Sequence, residues 1–272
     1  MIVVWRITQH CNLRCPFCEW DRSLPRVRRH ADAREVMRFA TPLADWQTAT
    51  GRRVLVSWLG GEPLLWPELA GVAAKVYILS LAQSATTNGT PLGQVKAQDL
   101  VLRYFAELTV SVDGFADFHD PMRGWPGGFD RLRDAVRALV ARRASRGALR
   151  LRANVVLMRQ NVHAFPNLCD ALADWGVDEI TFNALGGRDR PEFYPAHALQ
   201  PCDVVWLRAE LPALHTRLAA CGTRLPGEGG YLDRFAATSS GQPIAVADCG
   251  PGRDFLFIDE HGVIAPCDFT GA

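Results

Sequence analysis

Six short apolar runs alternate with stretches of helical periodicity across residues 1–185, and this alternation is the strongest constraint on the fold. The runs are Ile2–Thr8, Val54–Leu59, a third ending at Ala85-Thr86-Thr87, Leu108–Gly114, Leu149–Leu157 and Glu179–Asn183. Helices are predicted over 32–49, 67–77, 94–105, 127–146 and 162–175. Strands that alternate with helices predict parallel pairing, because parallel neighbours need a crossover between them. Polar and sulfur-bearing residues collect at the C-terminal ends of these runs, the face where parallel barrels gather their active sites. The chain is therefore expected to be an α/β protein of the parallel-barrel kind.

The loop after the first run reads Cys11-Asn12-Leu13-Arg14-Cys15-Pro16-Phe17-Cys18. Three thiolates satisfy three irons of a [4Fe–4S] cube, whereas an all-protein site supplies four. The fourth iron is then open to an outside ligand. A zinc loop is the competing reading, but zinc sites pair C-x2-C with a second pair or with histidines, and no such second pair follows.

The second run ends in Gly60-Gly61-Glu62-Pro63. Two glycines let the backbone approach a ligand closely. The Glu62 carboxylate and nearby carbonyls can accept from an ammonium, and Pro63 stops the strand ladder. Further on come Ser111-Val112-Asp113-Gly114, the loop Phe118–Gly124 with His119 and Arg123, and Gly128-Phe129-Asp130 opening a helix. Asn154 interrupts the apolar fifth run. A buried amide needs partners, which a cofactor hydroxyl or carboxylate would supply and backbone groups would supply equally well.

The C-x3-C-x2-C spacing, with Phe17 before the last cysteine, resembles the radical S-adenosylmethionine (radical SAM) superfamily. The resemblance covers about residues 1–185 and implies a partial (β/α)6 TIM-type barrel. It implies that Cys11, Cys15 and Cys18 hold the cluster. S-adenosylmethionine would chelate the open iron and be cleaved by one electron to a 5′-deoxyadenosyl radical. Phe17, Gly60, Gly61, Glu62 and Pro63 would position that cofactor, with the Gly-Gly-Glu-Pro motif at its amino group. The Ser-x-Asp-Gly, His-Asp-x-x-Arg and Gly-Phe-Asp segments resemble the branch with SPASM or twitch extensions, which implies Ser111 and Arg123 at the cofactor's ribose or carboxylate. Asn154 is a further candidate there. The competing reading of Arg123 is a loop brace to Asp117 or Asp120. His119 is read as bonded within its loop. Glu19, Trp20, Asp113 and Asn183 are candidate substrate contacts, and no catalytic acid or base is assigned.

Residues 186–272 are read as a helix over about 203–220 and a β-hairpin over Asp254–Ala265, a short SPASM- or twitch-like extension. Cys249, Gly262 and Cys267 match its opening, C-x9–15-G-x4-C. Two thiolates cannot close a cube, and Cys202, Cys221, Asp268 or residues of a partner would have to complete an auxiliary cluster. About four irons, one cube, are therefore expected per chain.

The net charge of +1 excludes a generally basic, nucleic-acid-binding surface, and no run of about 18 apolar residues would span a membrane. Eight cysteines without a signal sequence suit reduced thiols and a cytoplasmic setting. The expected partners are a peptide or small-molecule substrate and an electron donor such as flavodoxin or ferredoxin. Ribosomal-peptide modification leads, with a sugar or other small molecule as the alternative and a non-catalytic iron–sulfur or zinc module behind both. Maturases of this branch often carry an N-terminal peptide-recognition module. With the first strand starting at residue 2, that module is expected on a separate protein.

Overall fold

The computed structural model describes residues 1–143, 149–227, 230–243, 250 and 252–266. The strands are β1 (Ile2–Thr8), β2 (Leu55–Gly60), β3 (Ala82–Thr87), β4 (Glu107–Ser111), β5 (Arg150–Leu157), β6 (Glu179–Ala184), β7 (Phe255–Ile258) and β8 (Ile264–Ala265). They form one sheet in the order β6-β5-β4-β3-β2-β1-β7-β8, with every pair parallel except β7–β8. Among the described residues no ladder joins β6 to β8, so the barrel stays open, as expected of a partial (β/α)6 barrel.

The helices are α1 (Ala33–Thr50), α2 (Leu69–Ile78), α3 (Val95–Tyr104), α4 (Ala116–Arg123), α5 (Gly128–Arg143), α6 (Phe165–Asp174), α7 (Tyr194–His197), α8 (Pro201–Ala220) and α9 (Tyr231–Ser239). Helix α1 shows why such segments form. The Asp32 side chain caps its N-terminus by accepting from Arg34 N, and Gly51, at φ 66°, ends it in the left-handed conformation that glycine tolerates. Val36, Ala40, Leu43 and Ala44 recur at helical spacing and are buried. Against them lies one face of the sheet: Trp5 of β1 meets Phe39 of α1 edge-on at 5.6 Å. Since strand side chains alternate, Val4, Arg6 and Thr8 turn to the concave face, and their partners along the sheet line a polar lumen.

Two stretches differ from the sequence reading. The segment read as a loop around His119 is helix α4, with Pro121 inside it and Gly124 as a left-handed cap at φ 60°. Proline and flanking glycines disguise a helix this short. The Asp254–Ala265 hairpin is present, but β7 also pairs in parallel with β1, Val4 opposite Phe257, and so covers the edge that β1 would otherwise expose. Helices α7 and α9 have no counterpart in the sequence reading. Tyr231 and Phe235 of α9 pack on Phe182 of β6 at 5.5 and 5.8 Å.

Candidate functional site

The cysteine loop leaves the C-terminal end of β1 and is stitched to its neighbours by main-chain bonds. Gly61 N donates to Thr8 O and Glu62 N to His10 O, both at 2.8 Å; Cys18 N returns to Cys15 O at 3.1 Å, and Arg14 N reaches Arg123 O at 3.3 Å. The two glycines are required by this seam. A Cβ on Gly60 would lie 2.1 Å from Thr8 O, and one on Gly61 would lie 2.2 Å from His10 O. The close approach that was expected toward a ligand is made toward the backbone that carries the cysteines.

Cys15 is buried, and Cys11 and Cys18 are half-buried. Each sulfur has a donor. Leu13 N and Asn88 Nδ2 reach Cys11 Sγ at 3.5 and 3.6 Å, Trp20 N reaches Cys18 Sγ at 3.4 Å, and a terminal nitrogen of Arg123 reaches Cys15 Sγ at 3.9 Å. Burial pushes the Cys15 thiol up to about 11, against the pull of Arg123, and Cys18 up to about 12. Metal ligation needs the thiolate, and N–H donors aimed at sulfur favour that form. Among the described residues no group of three histidine, cysteine or carboxylate side chains converges on a single metal ion. The donor set fits the cube read from the sequence.

Glu62 is fully buried. Its Oε1 accepts from Leu64 N at 3.0 Å and Thr87 Oγ1 at 2.7 Å, and its Oε2 from Asn88 N at 2.7 Å. Burial raises its pKa to about 7 despite these bonds. The carboxylate therefore braces the β2 and β3 ends first, leaving one of its roughly four lone-pair sites for an ammonium. Pro63, buried beside it, opens a short 3-10 turn. Asn88, a polar strand-end residue that the sequence offers only as a weak ligand-facing signal, extends the brace: its Nδ2 also donates to Asn12 Oδ1 at 2.9 Å, and Asn12 Nδ2 to Thr90 Oγ1 at 2.9 Å. The turn-forming Asn88-Gly89 pair concealed this role.

Ser111, at the end of β4, stands side by side with Asn154 and Thr181 within β5 and β6. Asn154 Oδ1 accepts from Thr181 Oγ1 at 3.0 Å and Asn183 Nδ2 at 2.8 Å, so side chains satisfy that oxygen. Arg123 is buried and does not pair with Asp117 or Asp120. Its Nε donates to Asp113 Oδ2 at 2.7 Å, and its guanidinium lies 5.3 Å from the Phe17 ring. Asp120 instead caps Gly127 N and Phe129 N. Asp113, a candidate substrate contact, is wholly buried and also accepts from Val156 N at 3.0 Å, which removes it from the lumen surface. His119 Nδ1 accepts from Asp113 N at 3.3 Å, and burial lowers its pKa to about 4, so the ring is a neutral hydrogen-bonding group.

Arg6 and Glu260 were missed. Glu260 is a buried carboxylate following β7; it accepts from Arg6 Nε at 2.5 Å and from Gln9 Nε2. Arg6 also lies 5.2 Å from the ring of Trp20 and 3.8 Å from Glu19, which places both of those candidates near the lumen mouth. A charged residue at an inward β1 position was the available signal for Arg6. Nothing local marked Glu260. Cys202 and Cys221 sit at opposite ends of α8, roughly 28 Å apart at helical rise, and cannot share one cluster. Cys249, Cys267 and Asp268 lie outside the described residues.

The sequence profile of the Radical SAM superfamily matches residues 5–172, more than half of the chain, including the cysteine loop, Glu62, Ser111, Arg123 and Asn154. The chain belongs to that superfamily. Its members use a [4Fe–4S] cluster and S-adenosylmethionine. This radical SAM chain is 28% identical over 203 residues to the pre-heme d1 synthase of Dinoroseobacter shibae, covering 70% of its own length and 46% of that protein. It is 26% identical over 276 residues to the PqqA peptide cyclase of Xanthomonas euvesicatoria pv. vesicatoria, covering 97% and 67%. Its fold matches the crystal structure of Streptococcus suis SuiB bound to S-adenosylmethionine with a TM-score of 0.75 at 18% identity, covering all of this chain and 61% of that one. The chain thus spans about half the length of the first of these relatives. Among the described residues no helix is long and apolar enough to cross a membrane.

Proposed function

We propose that this chain is the catalytic core of a radical SAM enzyme that removes hydrogen from a C–H bond of a ribosomally made peptide. The reading is carried by the three-cysteine loop, which sets a sulfur donor set with N–H partners at the mouth of a parallel half-barrel. When bound, the cluster and S-adenosylmethionine supply a 5′-deoxyadenosyl radical, the species that abstracts hydrogen. Cys11, Cys15 and Cys18 hold three irons, and the Gly60–Glu62 seam offers carbonyls and one remaining carboxylate lone pair to the cofactor's ammonium. Ser111 and Asn154 line its ribose side, while Arg123 and Phe17 close the space next to Cys15. Residues 1–185 form the core and 186–272 the extension.

A peptide is favoured over an anionic small molecule by the charge of the lumen. Arg152 is paired with Glu107 at 2.7 Å and Glu179 at 3.1 Å, and Arg6 with Glu260 at 2.5 Å. These inward arginines are neutralised in place, so none of the two is left to grip a substrate carboxylate. Along almost its whole length the chain is similar both to a peptide cyclase, which supports this choice, and to an AdoMet-dependent heme synthase, which supports a small molecule. The second reading, a small molecule such as a sugar or a tetrapyrrole, rests on the likeness to a pre-heme d1 synthase.

The test is anaerobic reconstitution with iron, sulfide, S-adenosylmethionine and a flavodoxin or chemical reductant. Formation of 5′-deoxyadenosine, with loss of two hydrogens from a peptide encoded beside the gene, is the expected result. No 5′-deoxyadenosine from fully loaded protein would sink the radical reading. An unaltered peptide together with turnover of a small molecule would replace the first substrate class by the second.

A further inference from the structure

The arginines next to the cysteine loop contrast with those of the lumen. Beside the loop, Asn12 and Leu13 line a cleft of about 620 Å³ together with Arg22, Gly124, Trp125 and Arg131. Arg14 lies on its rim: a Cβ placed on Gly124 would sit 3.2 Å from the Arg14 Cβ. Arg131 is held over the Trp125 ring at 5.4 Å, donating from Nε to Gly127 O at 3.1 Å and from a terminal nitrogen to Pro126 O. Among the described residues Arg14, Arg22 and Arg131 form no ion pair, and all three are exposed. The one acidic side chain at the cleft, Asp134, is itself bound to Arg133 at 2.9 Å. The cleft is joined to the site in two steps, because Leu13 N donates to Cys11 Sγ at 3.5 Å and Leu13 O accepts from Arg22 N at 3.1 Å.

We propose that this cleft is the docking surface for the protein that reduces the cluster, a small acidic electron carrier whose carboxylates meet Arg14, Arg22 and Arg131. The proposal rests on the radical SAM reading, which requires one electron from outside. In the step concerned, one electron leaves the carrier's reduced flavin, which is oxidised by one equivalent, and enters the cluster; no bond is made or broken and no proton needs to move. An aromatic side chain framed by unmatched arginines is the composition favoured at protein interfaces. Charge complementarity of this kind raises encounter rates by tenfold or more and is screened by salt.

The test uses the reconstituted full chain and a reduced flavodoxin with an acidic surface, following cluster reduction by stopped flow. The rate in the unmodified protein should fall steeply with ionic strength. The triple variant Arg14→Glu/Arg22→Glu/Arg131→Glu should be reduced about tenfold or more slowly at low salt, with the two proteins converging at high salt. The double variant Arg22→Glu/Arg131→Glu, which leaves the cysteine loop untouched, covers the case in which the triple loads less iron. Dithionite-driven 5′-deoxyadenosine formation in the double variant should equal that of the unmodified protein. Unchanged flavodoxin rates and salt dependence in the double variant would overturn the docking site. A raised substrate KM with an unchanged reduction rate would assign the surface to substrate and overturn it as well. If dithionite yields no 5′-deoxyadenosine from the unmodified, iron-loaded protein, the radical reading fails and the docking site falls with it.

Discussion

Arg123 donates from Nε to Oδ2 of Asp113 across 2.7 Å while a terminal nitrogen of the same guanidinium lies 3.9 Å from the Cys15 sulfur. One buried ion pair thereby ties the end of β4 to the last turn of α4 and to the cysteine loop. Asp113 spreads the tie to β5 through Val156 N, and Asn161 Nδ2 fastens the Asp113 carbonyl at 2.7 Å.

Breaking that pair from one side strands a carboxylate that has no access to water. Arg123→Ala is expected to destabilise the chain by about 3–5 kcal/mol, read from the urea midpoint at constant slope. Asp113→Asn/Arg123→Met should recover part of the loss, because no charge is left buried. A loss in Arg123→Ala below about 1 kcal/mol would contradict the buried-pair account. In reconstituted protein the same Arg123→Ala change should weaken S-adenosylmethionine binding about 10- to 150-fold, the equivalent of one charge-assisted bond, by titration of the cluster spectrum.

Replacing Cys11, Cys15 and Cys18 together by alanine should abolish iron and sulfide incorporation and 5′-deoxyadenosine formation. The unmodified chain should carry about four irons. An iron count near eight, or turnover by the triple variant, would refute the single three-cysteine site.

Glu62 makes stability depend on pH in the metal-free chain. Its folded pKa of about 7 lies above the ordinary 4.5. Between those values the folded chain holds a proton that the unfolded chain has released. The associated stability is complete below pH 4.5 and is lost as pH rises through 7. The difference in unfolding free energy between the unmodified chain and Glu62→Gln should therefore shift by about 3 kcal/mol across that window, against the unmodified chain at the upper end. Parallel stability–pH curves for the two proteins would contradict this.

Gly61→Ala places a methyl group where His10 O already stands, 2.2 Å away, and neither backbone can yield without opening the seam to the cysteine loop. Lower thermal stability and poor iron loading are expected together. Gly71→Ala, on open space in α2, should raise stability slightly through helix propensity. Equal melting temperatures in the two variants would show that the seam does not depend on the glycine.

The spacing of apolar residues determined the six strand–helix units, since side-chain direction repeats every two residues in a strand and every 3.6 in a helix. The same local logic set Cys11, Cys15 and Cys18 on the loop after β1, where chain connectivity alone brings them together. The tertiary structure decided which carboxylate serves which arginine. Asp113 is ten residues from Arg123 and takes it in place of the nearer Asp117 or Asp120, because α4 turns those two away while Asp113 is held inside at the β4 end. Glu260 is 254 residues from Arg6, and nothing around either residue in the sequence marks the pairing; it exists because β7 docks beside β1. The roles of Gly60 and Gly61 were decided in the same way. The sequence shows that backbone must approach something closely there, and only the folded chain shows that the something is the carbonyls of Thr8 and His10, since a glycine leaves room without naming its occupant.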